Sequence, residues 1–345
     1  MAEGNIKVAL IGCGYIAQAE HIPNIFLTEG LRLVAVVDKD QDLARTVGKN
    51  LGLSSFNDMG ECFKEKEVDA VVICASRFAH PDLVMQAAAH RKHILVEKPL
   101  ADSSVAAQQA LEAAQKAGVV LMVAYMRRSD DDCRFIKKVL ESGRLGSPSI
   151  TMSQFQLALQ PLYPRFDQGS SGKGGPPGIN SFRESLLEES IHHLNLMRYW
   201  FGEVNSVAFA KGNVNQHHYL TVLEFKCGVT FVHANVASMG QGEEFRIYCR
   251  GGNIYTRLWS PHFPYVYAKT RIFDMKGDMR VPSNMETSRA AEQTPALARL
   301  NPYYNQMATF VRCIREGIAP PATGEDAVND LKLIEMIVDA KHESV

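Results

Sequence analysis

The chain has 345 residues, 46% of them hydrophobic, with 37 Lys and Arg against 38 Asp and Glu. At roughly 150 residues per domain that predicts about two domains, and the balanced charge lacks the basic excess of a nucleic-acid binder, so no nucleic-acid partner is expected. Seven scattered cysteines without a C-x-x-C pair argue against disulfides or structural zinc, no apolar run approaches the ~20 residues of a membrane span, and the start MAEGNIKVALIG lacks signal-peptide character, so a cytoplasmic protein without a membrane partner is expected.

In chain order, IKVALI at 6–11 reads as a strand, followed by Gly12-Cys13-Gly14 and an apolar-spaced helix from Tyr15 to Leu27. A second strand, LRLVAVV at 31–37, ends at Asp38, and an amphipathic stretch leads to Gly48. DAVVICA at 69–75, HILVE at 93–97 and VVLMVAY at 119–125 are further strands, separated by helices over 80–90 and 103–117. Continuous apolar strands alternating with helix-length segments predict a parallel sheet covered on both faces, an α/β Rossmann (doubly wound) domain.

The second half differs. Residues 160–181 are rich in Gly, Pro, Ser and Gln and read as a long loop, a feature that is often functional; 184–201 reads as helix. From 204 to about 258 the runs VNSVAFAKG, HYLTVLEF, VTFVHANVAS and EFRIYCRG stand at hairpin spacing and predict a mainly antiparallel sheet. Residues 259–300 look irregular and carry no assignment, and two helices, 302–316 and 325–342, close the chain. The expected division is a dinucleotide-binding domain over 1–125 and an α+β domain with a large open sheet over 126–345, the terminal helices being candidates for packing back on the first.

Gly12-x-Gly14-x-x-Ala17 sits between a strand and a helix, as a dinucleotide fingerprint must. Gly12 permits the tight turn, Gly14 lets backbone approach a pyrophosphate, Ala17 allows close helix packing, and the helix N-terminus faces the phosphate charge. Asp38 stands 26 residues after Gly12 at the end of the second strand. It suits both ribose hydroxyls of NAD and would repel the 2′-phosphate of NADP, with Lys39 alongside softening that choice; otherwise it caps the next helix. Glu97-Lys98-Pro99 follows the strand HILV, at the sheet edge beyond which ligands lie. Lys98 there is either a solvated charge or a donor to a developing alkoxide; a cis Pro99 is compatible with the sequence.

IKVALIGCGYIA, VDAVVICASRFAHPDLVMQAAAHRKHILVEKPLA, AYMRRSDDDCRFIKKVLESGRLG and FVRCIREGIAPPATGEDAVNDLKLIEMI together resemble, in order and over almost the full length, the glucose–fructose oxidoreductase / myo-inositol dehydrogenase family, Gfo/Idh/MocA. The resemblance implies NAD(P)-dependent oxidation or reduction of sugars, cyclitols or their derivatives. It implies cofactor contacts at Gly12, Gly14, Tyr15, Ile16, Asp38, Ser76, Arg77, His80, Glu97, Lys98 and Arg127, with Lys39 as a neighbour.

Family members follow the long loop with a helix reading D-x-x-x-H-x-x-D. Here LLEESIHHLNLMRYWFGE aligns Glu188, His192 and Asn195 with those positions, spacings that put all three on one helix face. The resemblance implies His192 as general acid/base, suited to proton exchange near neutral pH, with Glu188 orienting it and Asn195 bonding a substrate hydroxyl. Two departures stand out: Glu188 and Asn195 replace the family's Asp, and Phe182-Arg183-Glu184-Ser185 replaces a small Gly-rich run. Arg183 either meets a polar substrate group or pairs with a neighbouring Glu. His193 points about 100° away from His192, toward packing unless the alignment slips by one. Glu188 and His192 lack a clear third ligand, so no metal is expected.

The expected chemistry has His192 taking a carbinol proton, Lys98 steadying the oxygen, and NAD (NADP less so) carrying the hydride. A pyranose or its glycoside is the first substrate expectation and an inositol the second, with Arg165, Tyr163, Asn180, Tyr303 and Tyr304 as further contacts. Alternatives are a redox-neutral NAD-dependent glycosidase and a non-catalytic NAD(P)-binding regulator. The open sheet requires covering, which points to a homodimer or homotetramer.

Overall fold

The computed structural model describes residues 4–158, 181–213, 218–238, 242–258, 269–274, 279–280 and 301–340. The chain forms two compact units, Met1–Ser129 with Asn301–Lys332, and Asp130–Leu300 with Leu333–Val345.

In the first unit, β1 (Ile6–Ile11), β2 (Leu31–Val37), β3 (Ser54–Phe56), β4 (Ala70–Ile73), β5 (His93–Val96) and β6 (Leu121–Val123) build one sheet in the order β3-β2-β1-β4-β5-β6. Every pairing is parallel. AVVI of β4 is wholly buried, and β1 and β5 nearly so, because helices cover both faces. The connecting helices are α1 (Ile22–Leu27), α2 (Gln41–Leu51), α3 (Met59–Glu65), α4 (His80–Ala89) and α5 (Ser104–Ala117). Strand order reverses between β1 and β4, the switch point at which open sheets of this kind hold ligands. The sequence reading of a single helix from Tyr15 needs one correction. A π-turn, Ala17–His21, precedes α1, and the Ile22 N–H reaches back to the Ala17 carbonyl.

The helix α9 (Pro302–Glu316) buries Met307, Phe310 and Val311 against Val8, Leu10, Leu33 and Val72. Truncating a side chain as buried as Leu10 to Ala costs about 2–5 kcal/mol. At the start of α10 (Gly324–Asp339), Thr323 and Asp326 cap each other: the Thr323 N–H donates to Asp326 Oδ2 at 3.0 Å, and the Asp326 N–H to Thr323 Oγ1 at 3.1 Å. Asp326 also pairs with buried Arg128 at 2.9 Å. Burial would raise the Asp326 pKa, but Arg128 and the Thr323 N–H hold it low. Two motifs far apart in sequence, AYMRR and GEDA, thus meet in one ion pair.

In the second unit, β7 (Pro148–Ala158), β8 (Val204–Asn213), β9 (His218–Phe225), β10 (Thr230–Ser238), β11 (Gly242–Cys249), β12 (Gly252–Leu258), β13 (Lys269–Asp274) and β14 (Met279–Arg280) form a sheet ordered β14-β13-β12-β11-β7-β10-β9-β8. Only β7–β10 is parallel among the described pairings. One sheet face is buried, and the unit also contains α6 (Asp131–Glu141), α7 (Phe182–Ser185) and α8 (Ile191–Phe201). Within 259–300, which the sequence left unassigned, β13 and β14 extend the sheet.

Candidate active site

The turn after β1 is shaped by Gly12, whose φ is +93°. A Cβ there would lie 2.7 Å from the Ala75 nitrogen and the Cys74 carbonyl carbon, so a side chain is excluded both by the backbone conformation and by the main chain just past β4. A Cβ at Gly14 would meet nothing within 4 Å, which leaves its backbone open to a ligand. Asp38, at the end of β2, accepts the Cys13 N–H at 2.7 Å and the Asp40 N–H at 2.9 Å. It does not cap α2; Asp40 does, accepting from Asp42 and Leu43. Asp38 therefore ties the tip of β2 to the glycine turn, and its half-buried carboxylate stands beside that turn. Lys39 and Tyr15 are exposed and Ile16 is half-buried. Burial, then Asp38, pushes the Cys13 thiol up to about 12, so it stays protonated.

The ends of β4 and β5 carry the next group. Ser76 is exposed. Arg77 is buried, pairs with Asp102 at 3.0 Å and lies 4.4 Å over the Phe78 ring. His80 is bracketed by backbone oxygens: Nδ1 is 2.8 Å from the Pro99 carbonyl and Nε2 2.9 Å from that of Ala75. It thereby straps the loop after β4 to the loop after β5, and the Lys98–Pro99 peptide is cis. Arg127 is buried at 1% exposure, Tyr303 is buried edge-on to His21 at 5.6 Å, and Tyr304 is half-buried.

Glu97 is buried and Lys98 beside it half-exposed. Glu97 Oε1 lies 2.7 Å from His21 Nε2, and its Oε2 accepts the Lys98 N–H at 3.0 Å. Burial would raise the Glu97 pKa, but the His21 hydrogen bond and charge, with Lys98, hold it below the ordinary carboxylate value. Burial would lower the His21 pKa; Cys74 and Glu97 more than reverse this and raise it to about 10. His21 is the functional-region residue that sequence reasoning missed. Its only signal was a polar side chain four residues past Ala17, inside a segment read as ordinary helix.

In the second unit, residues 182–201 run as α7, a π-turn over Leu186–Ser190, and α8, with Ser181 capping the start by accepting the Glu184 N–H at 3.1 Å. The three residues expected on one face differ in burial. Glu188 and His192 are half-exposed, but Asn195 is 1% exposed and His193 fully buried, because α8 is enclosed on most sides. His193 does not reach a free surface: its Nδ1 bonds Ser153 Oγ at 3.1 Å, and its Nε2 lies 3.4 Å from Glu243. Ser153 also bonds His233, whose Nε2 reaches Ser190 Oγ at 2.9 Å. Burial, then His193, holds the His233 pKa well below its ordinary value, so His233 is neutral. Asn235 donates to Glu189, which also accepts from Ser185 at 3.0 Å. β10 therefore holds the C-terminal end of the π-turn, at Glu189 and Ser190, and that turn presents Glu188 just ahead of His192; π-turns recur at functional sites. Arg183 is half-buried at the helix start. Tyr163, Arg165 and Asn180 lie outside the described residues. No cluster of metal-ligating side chains occurs among the described residues.

Residues 6–125 match the model of an oxidoreductase family described as an NAD-binding Rossmann fold, and residues 181–345 match its C-terminal alpha/beta domain. The chain is 25% identical over 339 residues to myo-inositol 2-dehydrogenase of Thermotoga maritima, covering 93% of this chain and 92% of that protein. It is 27% identical to scyllo-inositol 2-dehydrogenase (NAD(+)) of Bacillus subtilis, covering 96% and 92%. Its fold superposes on aldose-aldose oxidoreductase of Caulobacter crescentus with a TM-score of 0.78 at 22% identity, over 97% of each chain.

Proposed function

Because the chain belongs to the Gfo/Idh/MocA family of oxidoreductases, we propose that it is an NAD(P)-dependent dehydrogenase or reductase acting on a secondary alcohol of a sugar, glycoside or cyclitol. The observation that carries this reading is the turn at Gly12–Gly14 with Asp38 bonded into it. Side chains are excluded beneath Gly12, backbone is open at Gly14, and a carboxylate stands where a ribose would be held, so the residues present fit a dinucleotide. When bound, the nicotinamide supplies the hydride acceptor or donor. Gly12 and Gly14 hold the pyrophosphate, and Asp38 takes the ribose hydroxyls and favours NAD over NADP by repelling a 2′-phosphate.

Lys98 donates a hydrogen bond to the substrate oxygen and stabilises negative charge as it develops there. His192 removes the hydroxyl proton in oxidation and returns it in reduction, with Glu188 orienting the imidazole. Arg183 offers a polar contact to substrate. The inositol dehydrogenases among the relatives support including cyclitols beside pyranoses as substrates. Incubation of the purified protein with NAD or NADP and a panel of free sugars, glycosides and inositols is expected to give reduced cofactor, with NAD preferred. Tight cofactor binding without reduction by any polyol would sink the dehydrogenase reading.

The outer face of the large sheet supports a homo-oligomer. Ile150, Met152, Leu220, Tyr248 and Phe273 are all exposed on it, and a cluster of large exposed apolar side chains marks a surface for association. A second copy of the chain is the proposed cover.

A further inference from the structure

We infer that His21 is a positioning residue for Lys98, acting through the Glu97 carboxylate; the inference rests on the reading of Lys98 as the group that steadies the substrate oxygen. His21 has no exposed surface and sits in the π-turn that follows the glycine loop. The Glu97 carboxylate bridges two partners, with His21 Nε2 at 2.7 Å on one oxygen and the Lys98 N–H at 3.0 Å on the other. The Glu97 N–H is itself fixed to the Ile73 carbonyl of β4 at 2.9 Å. Glu97 is the first residue past β5 and Lys98 opens a bend. Holding the Glu97 carboxylate on a buried imidazole, with the Lys98 N–H bonded to that same carboxylate, fixes the main chain from which the Lys98 side chain leaves. The burial pattern follows: Glu97 and Pro99 are buried and Lys98 between them is half-exposed.

The imidazole has little freedom to release that hold. Tyr303 stands edge-on to it, and Cys74 and Glu20 lie close enough to act on its charge. A cysteine, histidine and carboxylate in one cluster could also suggest a nucleophile. Cys74 is fully buried, and burial raises its pKa, the opposite of the lowered pKa that an exposed, reactive thiolate requires. The remaining role for His21 is mechanical: it links the element that carries the dinucleotide turn to the main chain of the residue that meets substrate.

The test uses His21→Leu, which fills the volume without a donor, and His21→Gln, which keeps an N–H near the Nε2 position. For each, kcat and KM for an active polyol are measured, with NAD Kd by calorimetry and Lys98→Met in parallel. His21→Leu is expected to lose about 10²-fold in kcat, the scale of a misplaced catalytic group, while KM and NAD Kd stay close to wild type. His21→Gln is expected to recover most of that loss. Wild-type kcat in His21→Leu, or a loss confined to NAD Kd, would overturn the inference. If His21→Leu does not fold, Glu97→Gln takes its place, and wild-type kcat there would overturn it equally. Near-normal turnover in Lys98→Met removes the underlying reading; an inactive Lys98→Met with a fully active His21→Leu removes only the inference.

Discussion

Glu20 and His21 are neighbours in one π-turn, yet burial acts on them with opposite electrostatic results. Burial, offset in part by His21 and an Asn301 hydrogen bond, raises the Glu20 pKa to about 7 from 4.5. His21, with Cys74 and Glu97 for partners, stays charged. The sign for stability follows from proton binding. Between about pH 4.5 and 7 the folded state holds a proton on Glu20 that the unfolded chain has released, so the contribution is fully present below that window and is lost as pH rises through it. Glu20→Gln is therefore expected to raise the urea midpoint at about pH 8 and to leave it nearly unchanged at about pH 4.5. An equal shift at both values would contradict a raised Glu20 pKa. Asp38 shows a different kind of side-chain role. Its two oxygens are bound to backbone N–H groups, so it is preorganised at the glycine turn before any ribose arrives.

At the scale of elements, legibility in the sequence tracked side-chain pattern. IKVALI, AVVI and HILV are buried or nearly so on both faces, and LRLVAVV is buried along its second half; continuous apolar runs reveal such strands directly. β7 escaped notice because its alternation is inverted. Thr151 and Ser153 point into the buried layer, while Ile150 and Met152 point out. A rule that places apolar residues inside reads such a strand as noise. β13 and β14 escaped because they are short runs within a polar stretch. The π-turns were invisible for another reason. A helix that widens by one residue leaves the apolar spacing nearly intact, yet it decides which side chain faces inward. That single-residue change places His21 beside Glu97, and a π-turn likewise precedes α8. Pattern also could not show that Asn195 and His193 are enclosed, because that depends on which sheet residues stand opposite them. At β8–β9, Gly212 pairs with Tyr219, and a Cβ at Gly212 would meet the Tyr219 and Phe182 rings. Gly212 is thus a packing requirement for the helix that begins at Phe182.

For the whole molecule, each unit holds a different share of the proposed chemistry: the dinucleotide turn and Lys98 in the first, Glu188 and His192 in the second. Among the described residues no helix is long and apolar enough to cross a membrane. Ile150, Met152, Leu220, Tyr248 and Phe273 are exposed on one face of the large sheet, and the proposed homo-oligomer would cover them. Light scattering is expected to report a dimer or tetramer, and a monomer at micromolar concentration would contradict that assignment. The most direct measurement of the central claim is turnover with NAD and an active polyol in Lys98→Met and His192→Ala beside the wild type, with NAD affinity measured on the same samples. Both variants are expected to lose about 10²–10⁴-fold in kcat while binding NAD nearly as tightly. Near-normal turnover in both would contradict the assignment of acid/base and oxygen-stabilising roles to these two side chains.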